Sequence, residues 1–160
     1  MNVAVIGSGA WGTALALQLH KNGHNTLLWT HNGDRAKKMR ESGCNVRLEG
    51  IALPKELEIT ANLEKLQEYG LIVIATPSVY FRDTCKRISS YLNANAVVLS
   101  VAKGVEPGTL MRMSQIAKEE TGKPVAVLTG PNHAEEVARG IPTGSLVACD
   151  NKELAELGKK

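Results

Sequence analysis

Apolar residues fall along this chain in short solid runs separated by longer mixed stretches. Residues 3–6, 25–29, 71–75, 96–100 and 125–128 are such runs, with briefer ones at 57–60 and 145–148. A continuous run of this kind lacks the polar–apolar alternation of a strand with one wet face. It predicts a parallel strand buried on both sides. Residues 13–19, 35–40, 63–68, 79–91 and 109–120 predict helices between the strands. The first closes at Asn22-Gly23, a stop signal, with Lys21 in its last turn to suit the helix dipole. Residues 44–54, punctuated by Gly50 and Pro54, predict a loop, and residues 152–160 the opening turns of a further helix. Strands and helices alternating in this way predict an α/β fold: a doubly wound, mostly parallel sheet with helices on both faces.

The first strand runs directly into Gly7-Ser8-Gly9-Ala10-Trp11-Gly12, and a helix follows. That order of strand, glycine turn and helix is what a dinucleotide-binding, Rossmann-type βαβ unit needs. Gly7 permits the sharp turn off the strand, Gly9 lets a pyrophosphate approach the backbone, and Gly12 lets the helix pack closely on the sheet. The diphosphate would rest on the free N–H groups at the positive end of the helix.

The end of the second strand bears on which dinucleotide fits. An NAD site of this type usually offers a carboxylate there, about 20 residues past the fingerprint, to hold the ribose hydroxyls. Here the stretch reads Trp29-Thr30-His31-Asn32-Gly33-Asp34-Arg35, with Lys37 and Lys38 beyond. No carboxylate stands at the tip, so a 2′-phosphate would meet donors. The reading is NADP or NAD, with NADPH favoured; Asp34 opposes it, and a solvated charged helix face is the other account of residues 35–40.

Composition narrows the classes further. At 160 residues the chain is long enough for one domain with a substantial core. The net charge of +3 and the 4% aromatic content argue against a nucleic-acid binder and suit small anionic ligands. Cys44, Cys85 and Cys149 are far apart and form no CxxC pattern, which argues against a disulfide framework or a zinc site and for a reducing compartment. His20 and His24 flank Gly23, which breaks the helix that would pair them as metal ligands. No apolar run approaches the roughly 18 residues of a membrane span, and the start of the chain lacks the pattern of a signal peptide. A soluble cytoplasmic protein is expected.

Two more loops follow predicted strands and should reach the carboxyl edge of the sheet, where ligands of open α/β folds bind. Ala102-Lys103-Gly104-Val105-Glu106 carries a lysine able to pair with a phosphate or polarise a carbonyl oxygen. Gly130-Pro131-Asn132 could bring backbone N–H groups and the Asn132 amide to the same point, with Asn132 also expected as the N-cap of a helix bearing Glu135 and Glu136. His133 is a candidate acid–base group with nothing in sequence to orient it.

These three segments, with Gly140-Ile141-Pro142-Thr143, Leu53-Pro54 and Thr76-Pro77-Ser78, resemble the N-terminal half of bacterial NAD(P)-dependent glycerol-3-phosphate dehydrogenase. The resemblance covers essentially the whole chain. It implies cofactor contacts at Ala10 and Trp11 with the pyrophosphate, at His31 and Asn32 with the adenosine end, and at Ala134. Lys103 would touch both cofactor and substrate and take part in catalysis, and Gly130 and Asn132 would bind substrate. Asn32 departs from an arginine common in the family; Asn132 and His133 depart from the usual Ser or Thr and Phe.

The resemblance further implies a reversible reduction of dihydroxyacetone phosphate to sn-glycerol 3-phosphate, feeding glycerophospholipid synthesis, in a protein that is a homodimer at full length. Residues 1–150 would form the NAD(P)-binding domain, and residues 151–160 the start of a helix leading to a C-terminal substrate domain absent from this chain. The family's acid–base lysine lies in that second domain, so the 160-residue chain is expected to bind cofactor with negligible turnover. Two alternatives stay open at this point: a hydroxy-acid or ketopantoate-type dehydrogenase, and a non-catalytic nucleotide-sensing module.

Overall fold

The computed structural model describes residues 1–150; the helix expected at 152–160, and the domain start assigned to 151–160, lie outside the described residues. In chain order the elements are β1 (Asn2–Ile6), α1 (Ala10–Lys21), β2 (Asn25–Trp29), α2 (Gly33–Ser42), β3 (Glu58–Thr60), β4 (Leu71–Ile74), α3 (Ser78–Ser89), β5 (Val97–Ser100), α4 (Met113–Thr121), β6 (Val125–Thr129), α5 (Ala134–Ala138) and β7 (Leu146–Cys149). A 3₁₀ turn at Glu64–Glu68 takes the place of the short helix expected before β4.

The sheet runs in the order β3-β2-β1-β4-β5-β6-β7. All pairs are parallel except β6 with β7, so the last strand returns antiparallel along the edge. Strand residues alternate between two buried layers. Ala4, Ile6, Leu27, Trp29, Ile72 and Ile74 pack with Phe81, Cys85, Ile88 and Ile116 of α3 and α4. Val3, Val5, Leu28 and Val73 face the other way, onto Ala14, Ala16, Leu17, Ala36, Met39 and Val137 of α1, α2 and α5. Both faces are therefore dry, which is why the strands read as solid apolar runs. The expected doubly wound fold is the one observed.

From β1 the chain crosses first to β2 on one side and later to β4 on the other. The carboxyl ends of β1 and β4 therefore part and open a crevice, the topological switch point of such sheets. Gly7 N–H closes onto the Trp29 carbonyl at 3.0 Å and Ala75 N–H onto the Ile6 carbonyl at 2.9 Å, fixing the strand ends that border it.

The helix expected over 109–120 is shorter than the pattern suggests. Residues 105–112 form a small hairpin instead, with Val105 bridged to Arg112 and Glu106 N–H bonded to the Met111 carbonyl at 2.9 Å. Pro107-Gly108 turns the chain, and Leu110 adopts φ 58°, a left-handed conformation that no helix can include.

Candidate cofactor and substrate site

The glycine turn is built as its spacing predicts. Gly7 has φ +116°, and a Cβ there would lie 3.0 Å from the Ala75 carbonyl oxygen. A Cβ at Gly12 would lie 2.0 Å from the Gly7 carbonyl oxygen, so the helix can start this close to the turn only with glycine at that position. Gly9 differs: a Cβ there meets no protein atom within 4 Å. It is the N-cap of α1, no side chain caps that helix end, and its first turn has no acidic residue. The N–H groups of the turn are thus left for an anion.

Above the turn lies a cleft of about 1250 Å³. Gly7, Gly9, Ala10, Trp11, His31, Lys103, Asn132 and Ala134 all line it, so loops distant in sequence meet at the switch point. Gly12 lies beneath the turn, Asn32 is the N-cap of α2 with its side chain accepting from Arg35 N–H at 2.9 Å, and Gly130 stands behind Asn132; these three do not line the cleft. Two groups at the cleft, Thr76 Oγ1 and Arg35 Nε, are buried without a protein partner. Thr30 Oγ1 and Ser100 Oγ, away from the lining, are unpartnered too, so the open space at Gly9 and the uncapped start of α1 are what fit an anionic ligand such as a dinucleotide.

Lys103 is exposed on the loop after β5, and among the described residues it makes no hydrogen bond or ion pair. Gly104, at φ +101°, turns the chain into the hairpin, and a Cβ there would lie 3.7 Å from the Ser78 side chain. Behind it Arg82 of α3 grips Glu106, Nε to Oε1 at 2.7 Å and Nη2 to Oε2 at 2.9 Å. Arg82 also reaches Glu119 at 2.6 Å and Glu120, and Thr109 donates to Glu106 at 2.5 Å. The hydrogen bonds from Arg82 and then Thr109 hold the Glu106 carboxyl down at about 2; the carboxylates of Glu106, Glu119 and Glu120, accepting from Arg82, raise its guanidinium still further.

At Gly130 the expectation of an Asn132 N-cap is not met. His133 occupies the cap position without a side-chain bond, and α5 is only Ala134–Ala138. The Asn132 amide instead shares its hydrogens among Thr143 Oγ1 at 3.1 Å, the Gly144 carbonyl at 3.0 Å and Ser145 Oγ at 3.2 Å. It ties the turn to the strand that returns as β7. Gly130 is needed for the same crossing, since a Cβ there would lie 2.4 Å from the Gly144 oxygen. With its N–H groups engaged, Asn132 keeps its oxygen as an acceptor suited to a hydroxyl.

The charged face expected over residues 35–40 is only partly a solvated one. Lys37 and Lys38 are exposed and do not line the cleft. Arg40 donates to the Ile59 carbonyl at 2.6 Å, and Arg35 turns inward to the Ser8 carbonyl at 2.9 Å and Asn45 Oδ1 at 3.2 Å. Asn45 itself was no sequence candidate. It is buried in the 44–54 loop, donating to the Ser8 carbonyl at 3.1 Å and to Thr13 Oγ1 at 2.7 Å. Its oxygen also accepts the Arg47 N–H at 3.1 Å, an Asx turn that presents Arg47 at the cleft. An asparagine two residues ahead of a cation inside a loop was the available signal, and it is a weak one.

A family model described as NAD-dependent glycerol-3-phosphate dehydrogenase N-terminus matches residues 2–155. The chain belongs to that family. It is 42% identical over 159 residues to glycerol-3-phosphate dehydrogenase [NAD(P)+] of Fusobacterium nucleatum, covering 96% of this chain and 48% of that protein. It is 43% identical over 160 residues to the enzyme of the same name from Pelotomaculum thermopropionicum, covering 96% and 46%. The crystal structure of glycerol-3-phosphate dehydrogenase from Coxiella burnetii superposes with a TM-score of 0.88 at 31% identity, over 96% of this chain and 48% of that one. The chain spans about half the length of the curated relatives it matches. Family membership makes the dinucleotide NAD or NADP.

Proposed function

We propose that this chain is the cofactor-binding half of an oxidoreductase that reversibly reduces dihydroxyacetone phosphate to sn-glycerol 3-phosphate with NAD(P)H and so feeds glycerophospholipid synthesis. The observation that carries the reading is the meeting of Lys103 and Asn132 with the glycine turn around one cleft. The names of the similar proteins support the substrate.

When bound, the dinucleotide supplies a hydride from its nicotinamide C4 to the carbonyl carbon. The N–H groups from Gly9 to Trp11 would hold its pyrophosphate, and Ala134 and His31, which also line the cleft, would border the rest of it. Lys103, with no partner of its own among the described residues, pairs with the substrate's phosphate or with the carbonyl oxygen as negative charge develops there. Asn132 and the Gly130 turn orient the substrate, Asn132 accepting from its hydroxyl. The proton that completes the alcohol comes from a group outside residues 1–150, in a second domain that shares the substrate. A cytoplasmic location and a homodimer at full length belong to the same proposal.

The test has two stages. Calorimetric titration of this chain with NADPH and NADH should give binding, and the chain alone should not oxidise NADPH with dihydroxyacetone phosphate. The full-length protein should do so, in preference to 2-keto acids or ketopantoate. Cofactor binding with no turnover of any of these substrates at full length would favour a nucleotide-sensing module.

A further inference from the structure

We propose that Arg82 is a positioning residue for Lys103: by gripping Glu106 it fixes the loop after β5 against α3, and so sets where the Lys103 ammonium stands in the cleft. The inference rests on the reading of Lys103 as the group that meets substrate, and it identifies what holds that group in place.

One helix supplies both a wall of the cleft and the anchor. Tyr80, Asp83, Thr84 and Arg87 share a face of α3 and line the cleft with Lys103, while Arg82 leaves that stripe for the loop. The grip has two prongs, because Arg82 Nε and Nη2 each donate to a different oxygen of Glu106, three residues beyond Lys103. The Arg82 side chain is 21% exposed and that of Glu106 16%, so the pair is screened less than one at the open surface. The same guanidinium reaches Glu119 and Glu120 of α4, and the Met111 sulfur at 3.4 Å. The loop, the hairpin and α4 are therefore all referenced to α3 through one side chain.

Lys103 makes no hydrogen bond or ion pair among the described residues, so its place depends on how the loop is held at either side. On the strand side, Val101 N–H bonds the Ile74 carbonyl at 3.1 Å. On the other side come Gly104, with the φ of +101° that favours glycine, and then Glu106 in the grip of Arg82. A planar fork on a carboxylate fixes direction as well as distance, which a single point contact does not. That precision matters at a reacting centre, where a misplacement of about 1 Å can cost roughly 10²-fold in rate.

The test is a double-mutant cycle in the full-length protein, read as kcat/KM for dihydroxyacetone phosphate. Arg82→Lys keeps a cation among the carboxylates but loses the fork, and should lower kcat/KM by about tenfold. In a Lys103→Ala background the same change should have almost no further effect, since no ammonium is left to position. Glu106→Gln should repeat both results. Thermal melts show what each change costs the fold, and a purely structural loss would lower turnover by the same factor in both backgrounds. Affinity for NADPH should stay within about threefold of the parent in Arg82→Lys, as expected if the α3 wall has not moved. Equal fractional losses with and without Lys103, or a fall in NADPH affinity as large as the fall in kcat/KM, would overturn the proposal and leave the dehydrogenase reading intact. A parent that does not reduce dihydroxyacetone phosphate, or a Lys103→Ala protein as active as the parent, would overturn the reading beneath it and this inference too.

Discussion

A Cβ on Gly12 would lie 2.0 Å from the Gly7 carbonyl oxygen, whereas one on Gly9, three residues earlier, would enter open space. Two glycines of one fingerprint therefore serve different ends. Gly12→Ala should force the start of α1 away from the strand end and cost at least about 3 kcal/mol, the upper range for overpacking against backbone. Gly9→Ala keeps an extended N-cap conformation with φ −69° and should cost within about 1 kcal/mol. It should nevertheless weaken NADPH and NADH alike by about tenfold or more, because its methyl fills the space left for the pyrophosphate. Urea denaturation and cofactor titration on the two variants check this division. A Gly9→Ala protein that binds normally would place the pyrophosphate elsewhere.

Asn45 is the other element that holds the turn in shape. Its removal takes one of two donors from the Ser8 carbonyl, which keeps Arg35 Nη2, and leaves the Thr13 hydroxyl and one Arg35 N–H without their Asn45 partner. Unsatisfied buried groups cost roughly 1–3 kcal/mol each, so Asn45→Ala should destabilise the chain by about 2 kcal/mol or more. Asn45→Asp keeps the acceptor but loses both amide donations, and should recover only the Arg35 and Arg47 contacts. Denaturation midpoints of the two variants at pH 7 measure the difference.

How much of this was legible in sequence follows from the range of the interactions. The sheet was legible because burial on both faces leaves a solid apolar run at each strand, as at residues 71–75. The glycine turn was legible because its physics is local. The Asn45 clamp was not, since it joins residues 37 and 32 apart along the chain, and neither end has a composition that announces the other. The 105–112 hairpin hid for a different reason. Thr109, Leu110 and Met111 read as helix formers, and only Pro107-Gly108 and the left-handed Leu110 exclude a helix start. The spacing of Asn132 to Glu135 predicts a local cap, and the contact across to residues 143–145 displaces that role. Local propensity lost to tertiary bonding there.

The Arg82–Glu106 pair gives the Lys103 loop a dependence on acid. The Glu106 carboxyl ordinarily titrates at 4.5 and is held at about 2 in the fold, so its folded-state pKa is depressed. Stability from this group is then fully present above about 4.5 and is lost as pH falls through about 2. Glu106→Gln should melt lower than the parent chain at pH 7, and the gap should narrow steadily below that upper value. Melting curves from pH 7 to pH 2 follow it. A gap that stays constant with pH would mean that shape, not charge, sets the pair's contribution.

Lys103 sits on that anchored loop with no protein partner among the described residues, so its proposed role can be tested apart from the fold. Lys103→Ala should leave stability within about 0.5 kcal/mol, as for a surface change that breaks no contact. In the full-length protein the same change should lower kcat/KM for dihydroxyacetone phosphate by about 10²-fold or more, the scale of losing one preorganised donor at a developing oxyanion. Lys103→Arg retains the charge on a bulkier planar group and should recover binding of the phosphate more than turnover. If Lys103 served only to attract an anionic substrate, KM would rise with kcat unchanged, and added salt would erase the difference. A fall in kcat that persists at high salt instead assigns the ammonium to the reacting oxygen.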